Sequence, residues 1–223
     1  MIDNRKQNLL KHLIIHYYKT CQPIASGFLC SSCGLSLSPA TIRNEMAELE
    51  KEGYIFQPHT SAGRIPTEKG FQFYVDNFLT NRKINIDFFQ SKEFSLKNEH
   101  DLKDLAKKIA ETTNETVILA FAKNDIFYTG ISNLFSKPEF KNYELIYNVS
   151  KVLERLEEVV KIFEDGLDDS IKIYIGKNNP IDASCSTVAT KLGNVFFAVS
   201  GPMRMDYDYV YGTILGLKDI LAK

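Results

Sequence analysis

SPATIRNEMAELEKEG, residues 38–53, carries its own start and stop signals for a helix. Ser38 stands where a side-chain oxygen can accept from the first free backbone N–H groups, and Pro39 follows at the first helical position, where its fixed φ suits a helix. Gly53 is a natural residue for the left-handed turn that ends one. On a wheel of about 100° per residue, Met46 and Leu49 fall within about 40° of Ile42 and make a core face. Ala40, Asn44, Ala47 and Lys51 fall on the opposite side, with Arg43 on a flank. Downstream, Tyr54-Ile55-Phe56 reads as a strand, residues 58–63 (PHTSAG) as a loop, and Arg64-Ile65-Pro66 as a short return strand. Thr67 then starts a helix carrying Phe71, Tyr74, Val75 and Phe78. Upstream, Leu9, Leu10, Leu13, Ile14 and Tyr17 make a helical stripe that ends near Gln22-Pro23. A short helix follows over about 25–31, with a turn from Gly34 through Ser38. This order of elements predicts a winged helix-turn-helix over residues 1–79, the third helix lying in a DNA major groove with the hairpin wing beside it.

That arrangement names candidate contacts. Asn44 suits bidentate contact with adenine, and Arg43 suits guanine or phosphate, while the small alanines let the backbone approach base edges. The Ser38 and Thr41 hydroxyls at the helix start are natural phosphate donors, and Lys51 shares the outward face. In the wing, His59, Thr60, Ser61 and Arg64 are placed to reach backbone or minor groove. Against this stand Glu45, Glu48, Glu50 and Glu52, which would repel phosphate if they faced it.

Residues 80–100 (TNRKINIDFFQSKEFSLKNEH) are polar and without a clear period, and read as a linker. From 101 to 223 helices and strands alternate: a helix at 101–112, strands at 117–122 and 126–129 around an Asn124-Asp125 turn, and a helical stretch from Pro138 to about 164. Strands at 171–175, 185–191 and 195–200 and a final helix at 207–222 complete it, with Asp206 as its cap. The expectation is an α+β domain on an antiparallel sheet. In the stretch 148–164, Val149, Val152, Leu156, Val159 and Phe163 repeat at heptad spacing and offer a dimer seam or, equally, a core stripe. The final helix and the apolar face of helix 68–79 are the other candidate dimer surfaces.

Composition excludes much. The 223 residues are 44% hydrophobic and 25% charged, with 27 basic against 28 acidic residues and a net charge of −1. A bulk polycation of histone type is thereby excluded, whereas a DNA reader with clustered basic residues is not. No run reaches the roughly 18 apolar residues of a membrane span, and the polar start has no signal-peptide pattern, so a cytoplasmic setting is expected. Four cysteines are too few for a disulfide scaffold. Cys30 and Cys33 form a CxxC pair, with Cys21, His12 and His16 nearby in sequence, but a structural zinc asks for four ligands, and no metal is expected. Phosphate-cradling glycine loops and nucleophile motifs are absent, so neither enzyme nor cofactor is expected.

Residues 38–55 (SPATIRNEMAELEKEGYI) and 57–76 (QPHTSAGRIPTEKGFQFYVD) closely resemble the N-terminal domain of the HrcA heat-inducible transcription repressors. TGISNLFSKPEF (129–140), IYIGKNNPI (173–181) and SGPMRMDY (200–207) resemble words of the same family's C-terminal half. The resemblance implies a winged-helix domain joined to a GAF-like domain, and a homodimeric repressor of chaperone operons that binds double-stranded DNA at an inverted-repeat operator, the CIRCE element. It also implies that the chaperonin GroEL maintains its activity. Two departures stand out. The family's extra dimerising segment looks absent, since only a few residues around Lys123–Ile126 precede the TGISNL word, and Gly27 replaces an arginine common in the second helix. Two other readings stay open: a regulator whose GAF-like domain senses a small molecule, separable by ligand-dependent melting shifts, and a protein-interaction module without DNA, separable by titration with an inverted repeat.

Overall fold

The structure is a computed structural model describing residues 2–32, 37–80, 98–122 and 125–221. Its contacts divide the chain into two units, Met1–Leu79 and Thr80–Lys223.

In the first unit, α1 (Asn4–Thr20) starts on Asp3, whose carboxylate accepts from the Arg5 and Lys6 N–H groups, and ends on Cys21 at φ 52°. Its stripe Leu9, Leu10, Leu13 and Ile14 is buried. The short α2 (Ser26–Ser32) follows, then α3 (Pro39–Lys51), capped by Ser38 and ended by Gly53 at φ +79°. Two short strands, β1 (Ile55–Phe56) and β2 (Ile65–Pro66), pair antiparallel, with Ile55 opposite Pro66 and Phe56 opposite Ile65. Ile24, just before α2, adds a bridge to Arg64. The α4 helix (Glu68–Phe78) is capped by Thr67, which also ties back to the Gly53 carbonyl at 2.7 Å. Leu29, Ile42, Met46, Leu49, Ile55, Phe71 and Tyr74 are buried with the α1 stripe, which makes one small apolar core.

The second unit is α+β. After α5 (Glu99–Thr113) come β3 (Thr116–Ala122) and β4 (Asp125–Thr129), then α6 (Ile131–Ser136) and a 3-10 turn over Pro138–Lys141. Next are α7 (Tyr143–Glu154), α8 (Leu156–Gly166), β5 (Lys172–Ile175), β6 (Cys185–Leu192), β7 (Val195–Pro202) and α9 (Tyr207–Leu221). The strands form one sheet in the order β4-β3-β7-β6-β5, every neighbouring pair antiparallel. Alternation along the strands divides the side chains between two faces. Ile118, Ala120, Ala189, Phe196 and Ala198 join Leu134, Phe140 and Phe163 from the α6–α8 segment in one core. The residues between them, such as Leu119, Val188, Phe197 and Val199, are buried on the other face, where α5 packs on β3 and α9 on β6. Asp206 does cap α9, accepting from the Tyr209 N–H at 3.0 Å.

The continuous helix expected over 148–164 is corrected. It breaks at Arg155 (φ −121°, ψ 31°) into α7 and α8, although no proline or glycine lies in that stretch. The cause is tertiary. One straight axis cannot keep both halves of the stripe against a twisted sheet, and the break aims Val149 from α7 and Leu156, Val159 and Phe163 from α8 into the same core. The heptad seam is therefore core rather than a dimer surface. The apolar residues Tyr207, Val210, Ile214 and Leu217 of α9 are likewise buried, as are Phe71 and Tyr74 of α4. Leu156→Glu is accordingly expected to leave the second unit unfolded or insoluble, because it puts an unpaired charge into an apolar site. A soluble monomer with unchanged circular dichroism would refute the core assignment.

The Gly34–Ser36 part of the first turn, Cys33 of the CxxC pair, Asn124 of the β3–β4 turn and residues 81–97 of the linker lie outside the described residues. Ala122 and Asp125 are paired, so residues 123–124 alone connect β3 to β4.

Candidate nucleic-acid interface

The start of α3 is built by a reciprocal cap. The Thr41 N–H donates to Ser38 Oγ at 3.1 Å, and the two hydroxyls lie 2.9 Å apart. Burial of Ile42, Met46 and Leu49 turns the helix so that Ala40, Arg43, Asn44, Ala47 and Lys51 are exposed. Ser38, Arg43, Asn44 and Lys51 are exposed on α3 or at its start, while Thr41 is half-buried and lies on the opposite flank from Arg43.

Three of the acidic residues are held by basic partners. Glu45 is buried and pairs with Arg5, and Glu48 pairs with Lys6, both cations standing in the first turn of α1. Glu50 turns to the hairpin, where Arg64 Nη2 lies 3.0 Å and Nε 3.1 Å from its Oε2. Lys69 donates to the Glu52 backbone carbonyl at 2.8 Å. Three negative side chains on this thirteen-residue helix would otherwise oppose an approaching phosphate backbone, and each is paired with a named cation.

The β1–β2 connection projects His59, Thr60 and Ser61 into solvent. Gln57 braces it from within, its Nε2 donating to the Thr60 carbonyl at 2.9 Å and the Ala62 carbonyl at 2.7 Å. Gly63 lies against the Ile24 backbone so closely that a Cβ there would come within 2.4 Å of the Ile24 carbonyl. Arg64, which the sequence places to reach backbone or minor groove, is engaged within this unit. Its side chain is 18% exposed and engaged by Glu50, and its backbone exchanges two hydrogen bonds with Ile24, each 2.9 Å.

Sequence reasoning missed Arg5, Lys6, Glu50 and Gln57 as parts of this site. Glu45 had a local signal, lying about 60° from Ile42 on the wheel and so at the margin of the core face. The others had none, because Arg5 and Glu45 are forty residues apart in sequence. Gly27 is exposed on α2 with open space around it, so the position has room for a longer side chain. Cys30 donates to the Leu37 carbonyl at 3.3 Å. Among the described residues no cluster of three or more His, Cys, Asp or Glu is placed to hold a metal ion, and no helix is long and apolar enough to cross a membrane.

A protein named Heat-inducible transcription repressor HrcA from Thermoanaerobacter sp. (strain X514) is 42% identical over 125 residues, which is 55% of this chain and 36% of that protein. Its namesake from Desulforudis audaxviator (strain MP104C) is 50% identical over 78 residues, covering 35% of this chain and 23% of that one. The matched stretches thus span about a third or less of these relatives. A solved structure described as "Crystal structure of a hypothetical protein at 2.2 A resolution" superposes with a TM-score of 0.84 over 100% of this chain and 98% of its own, at 17% identity, and shows the fold alone. The sequence model of the HrcA protein C terminal domain matches residues 75–210, more than half of the chain. With the family's characteristic words at both ends and its C-terminal domain across the middle, the chain belongs to the HrcA family.

Proposed function

We propose that this chain is a cytoplasmic repressor of heat-shock chaperone operons that binds an inverted-repeat operator of the CIRCE type as a homodimer. Residues 1–79 are the winged helix-turn-helix reader, 80–100 the linker, and 101–223 a GAF-like regulatory and dimerisation domain. GroEL is the partner that maintains its activity, and the chain is not an enzyme. In this reading α3 enters the major groove with Arg43 and Asn44 toward base edges, while Ser38, Thr41 and Lys51 hold phosphates. His59, Thr60 and Ser61 of the wing meet the backbone beside it. Arg64 serves the same surface by holding the wing, since its guanidinium is already engaged.

The observation that supports this most is the sorting of charge on α3. Glu45, Glu48 and Glu50 pair with Arg5, Lys6 and Arg64, while Arg43, Asn44 and Lys51 stay exposed and without a carboxylate partner on α3. Footprinting the protein on DNA upstream of its organism's chaperonin operon tests the reading: two protected half-sites related by a two-fold are expected. Absence of protection there, with the protein folded, would overturn it. Arg43→Ala and Asn44→Ala should each cost about 1–3 kcal/mol of specific binding while leaving thermal stability unchanged. Wild-type affinity in both variants would remove α3 from the groove.

A further inference from the structure

Two strands of two residues each, joined by residues 57–64, do not by themselves define a rigid hairpin. The wing is nonetheless tied at both ends to one carboxylate on the helix beside it. Glu50 Oε1 accepts from the Gln57 N–H at 2.9 Å, and Glu50 Oε2 accepts from Arg64 Nε at 3.1 Å with Arg64 Nη2 at 3.0 Å. The first and last residues of the connection are therefore held by a single side chain of α3. From Gln57 the chain of contacts runs on to the tip through its two donations to the Thr60 and Ala62 carbonyls, and the Ala62 N–H closes on the His59 carbonyl at 2.9 Å. Glu50 and Arg64 are mostly covered, at 32% and 18% side-chain exposure, so both are shielded in part from competing water.

We propose that Glu50 is the positioning residue of the interface: it fixes the wing to α3, so that the tip residues His59–Ser61 and the helix face Arg43–Asn44 meet a duplex as one preformed surface. The inference rests on the DNA-binding reading above and adds a part to it. Glu50 touches no DNA. It acts by lowering the ordering cost that a loose wing would carry at each binding event. The sign of its effect is distinctive. A carboxylate near phosphate opposes binding by charge alone, so neutralising one that has no positioning role should strengthen binding and steepen the salt dependence. For Glu50 neutralisation should weaken it.

The test is a double-substitution cycle in the full-length chain, titrating a labelled duplex that carries the inverted repeat found by footprinting. Glu50→Gln is expected to weaken binding roughly tenfold in the wild-type background, with circular dichroism unchanged. In a chain whose tip is already stripped by His59→Ala, Thr60→Ala and Ser61→Ala together, the same substitution should change affinity by less than about twofold, because what Glu50 positions is gone. Should Glu50→Gln fail to fold, Gln57→Ala leaves α3 intact and carries the same expectation. Unchanged or tighter binding by Glu50→Gln overturns the proposal, and so does an equal loss in both backgrounds, which marks a role in the fold at large. A stripped tip that binds like wild type also overturns it. A wild-type chain that retains no duplex fails the DNA reading itself, whereas wild-type binding without a Glu50 effect fails only this inference.

Discussion

Gly63→Ala is expected to unseat the β1–β2 hairpin, destabilising the first unit by about 3 kcal/mol, the upper end for forcing one extra methyl into packed structure. A Cβ at that position would stand 2.4 Å from the Ile24 carbonyl carbon and oxygen and 2.7 Å from its nitrogen. All three are backbone atoms. No rotamer change can make room, so either the Ile24–Arg64 bridge separates or the hairpin tilts away. Operator binding should fall with it, by more than the loss of any single contact residue, because tip and brace move together. Gly27→Ala is the control: a Cβ there meets nothing within 4 Å, and alanine is the better helix former by about 1 kcal/mol, so this variant should be neutral or slightly stabilised. Thermal unfolding of both variants decides it. Equal melting temperatures would show that the close approach at Gly63 does not constrain the hairpin.

The second large effect lies in the other unit. Glu115, at the start of β3, is buried against Gly201, with Lys137 Nζ 3.2 Å from its Oε1 and its Oε2 without a hydrogen-bond partner. Burial pushes its carboxyl up to about 7, and the carboxylate of Glu139 pushes the same way; Lys137 and Arg204 pull it back only in part. A folded-state value above the unfolded 4.5 means that folding takes up a proton. The stability this contributes is complete below about 4.5 and is lost as pH rises through about 7, for a change of about 3 kcal/mol. Glu115→Gln, neutral throughout, should therefore gain on the wild type by about that amount between pH 4 and pH 8. Urea unfolding at the two pH values measures the difference. A wild-type-to-variant gap that stays constant with pH would show that Glu115 does not titrate in this range.

What could be read from sequence and what could not differ by the range of the interactions involved. The bounds of α3 were legible because Ser38, Pro39 and Gly53 act on their own neighbours. The strands β3 and β7 were legible because both their faces are buried and most of their residues are apolar, whereas β6 buries Ser186, Thr187 and Thr190 among its apolar residues. The outward placement of Arg43, Asn44 and Lys51 followed from the helical period alone. The break at Arg155 was invisible, for it is imposed by the sheet beneath and has no breaker residue. The α6 helix was missed because it is six residues long and starts on Gly130 at φ 77° without a side-chain cap. The fates of Glu45, Glu48 and Glu50 depend on Arg5, Lys6 and Arg64, residues that local pattern cannot bring together.

The short β3–β4 connection has a consequence for how this fold can be extended. Ala122 and Asp125 face each other across an antiparallel pair, which sets their Cα atoms about 5 Å apart, and they do so at the tip of the sheet's outermost hairpin. The entropic cost of closing a loop there rises only with the logarithm of its length, by about 0.6 kcal/mol per doubling. A folded module whose own ends lie close together can be spliced in or removed at this point without disturbing the register of the remaining strands. The hairpin tip is thus a place where added chain is cheap, and an engineer seeking a site for a reporter would choose these two residues.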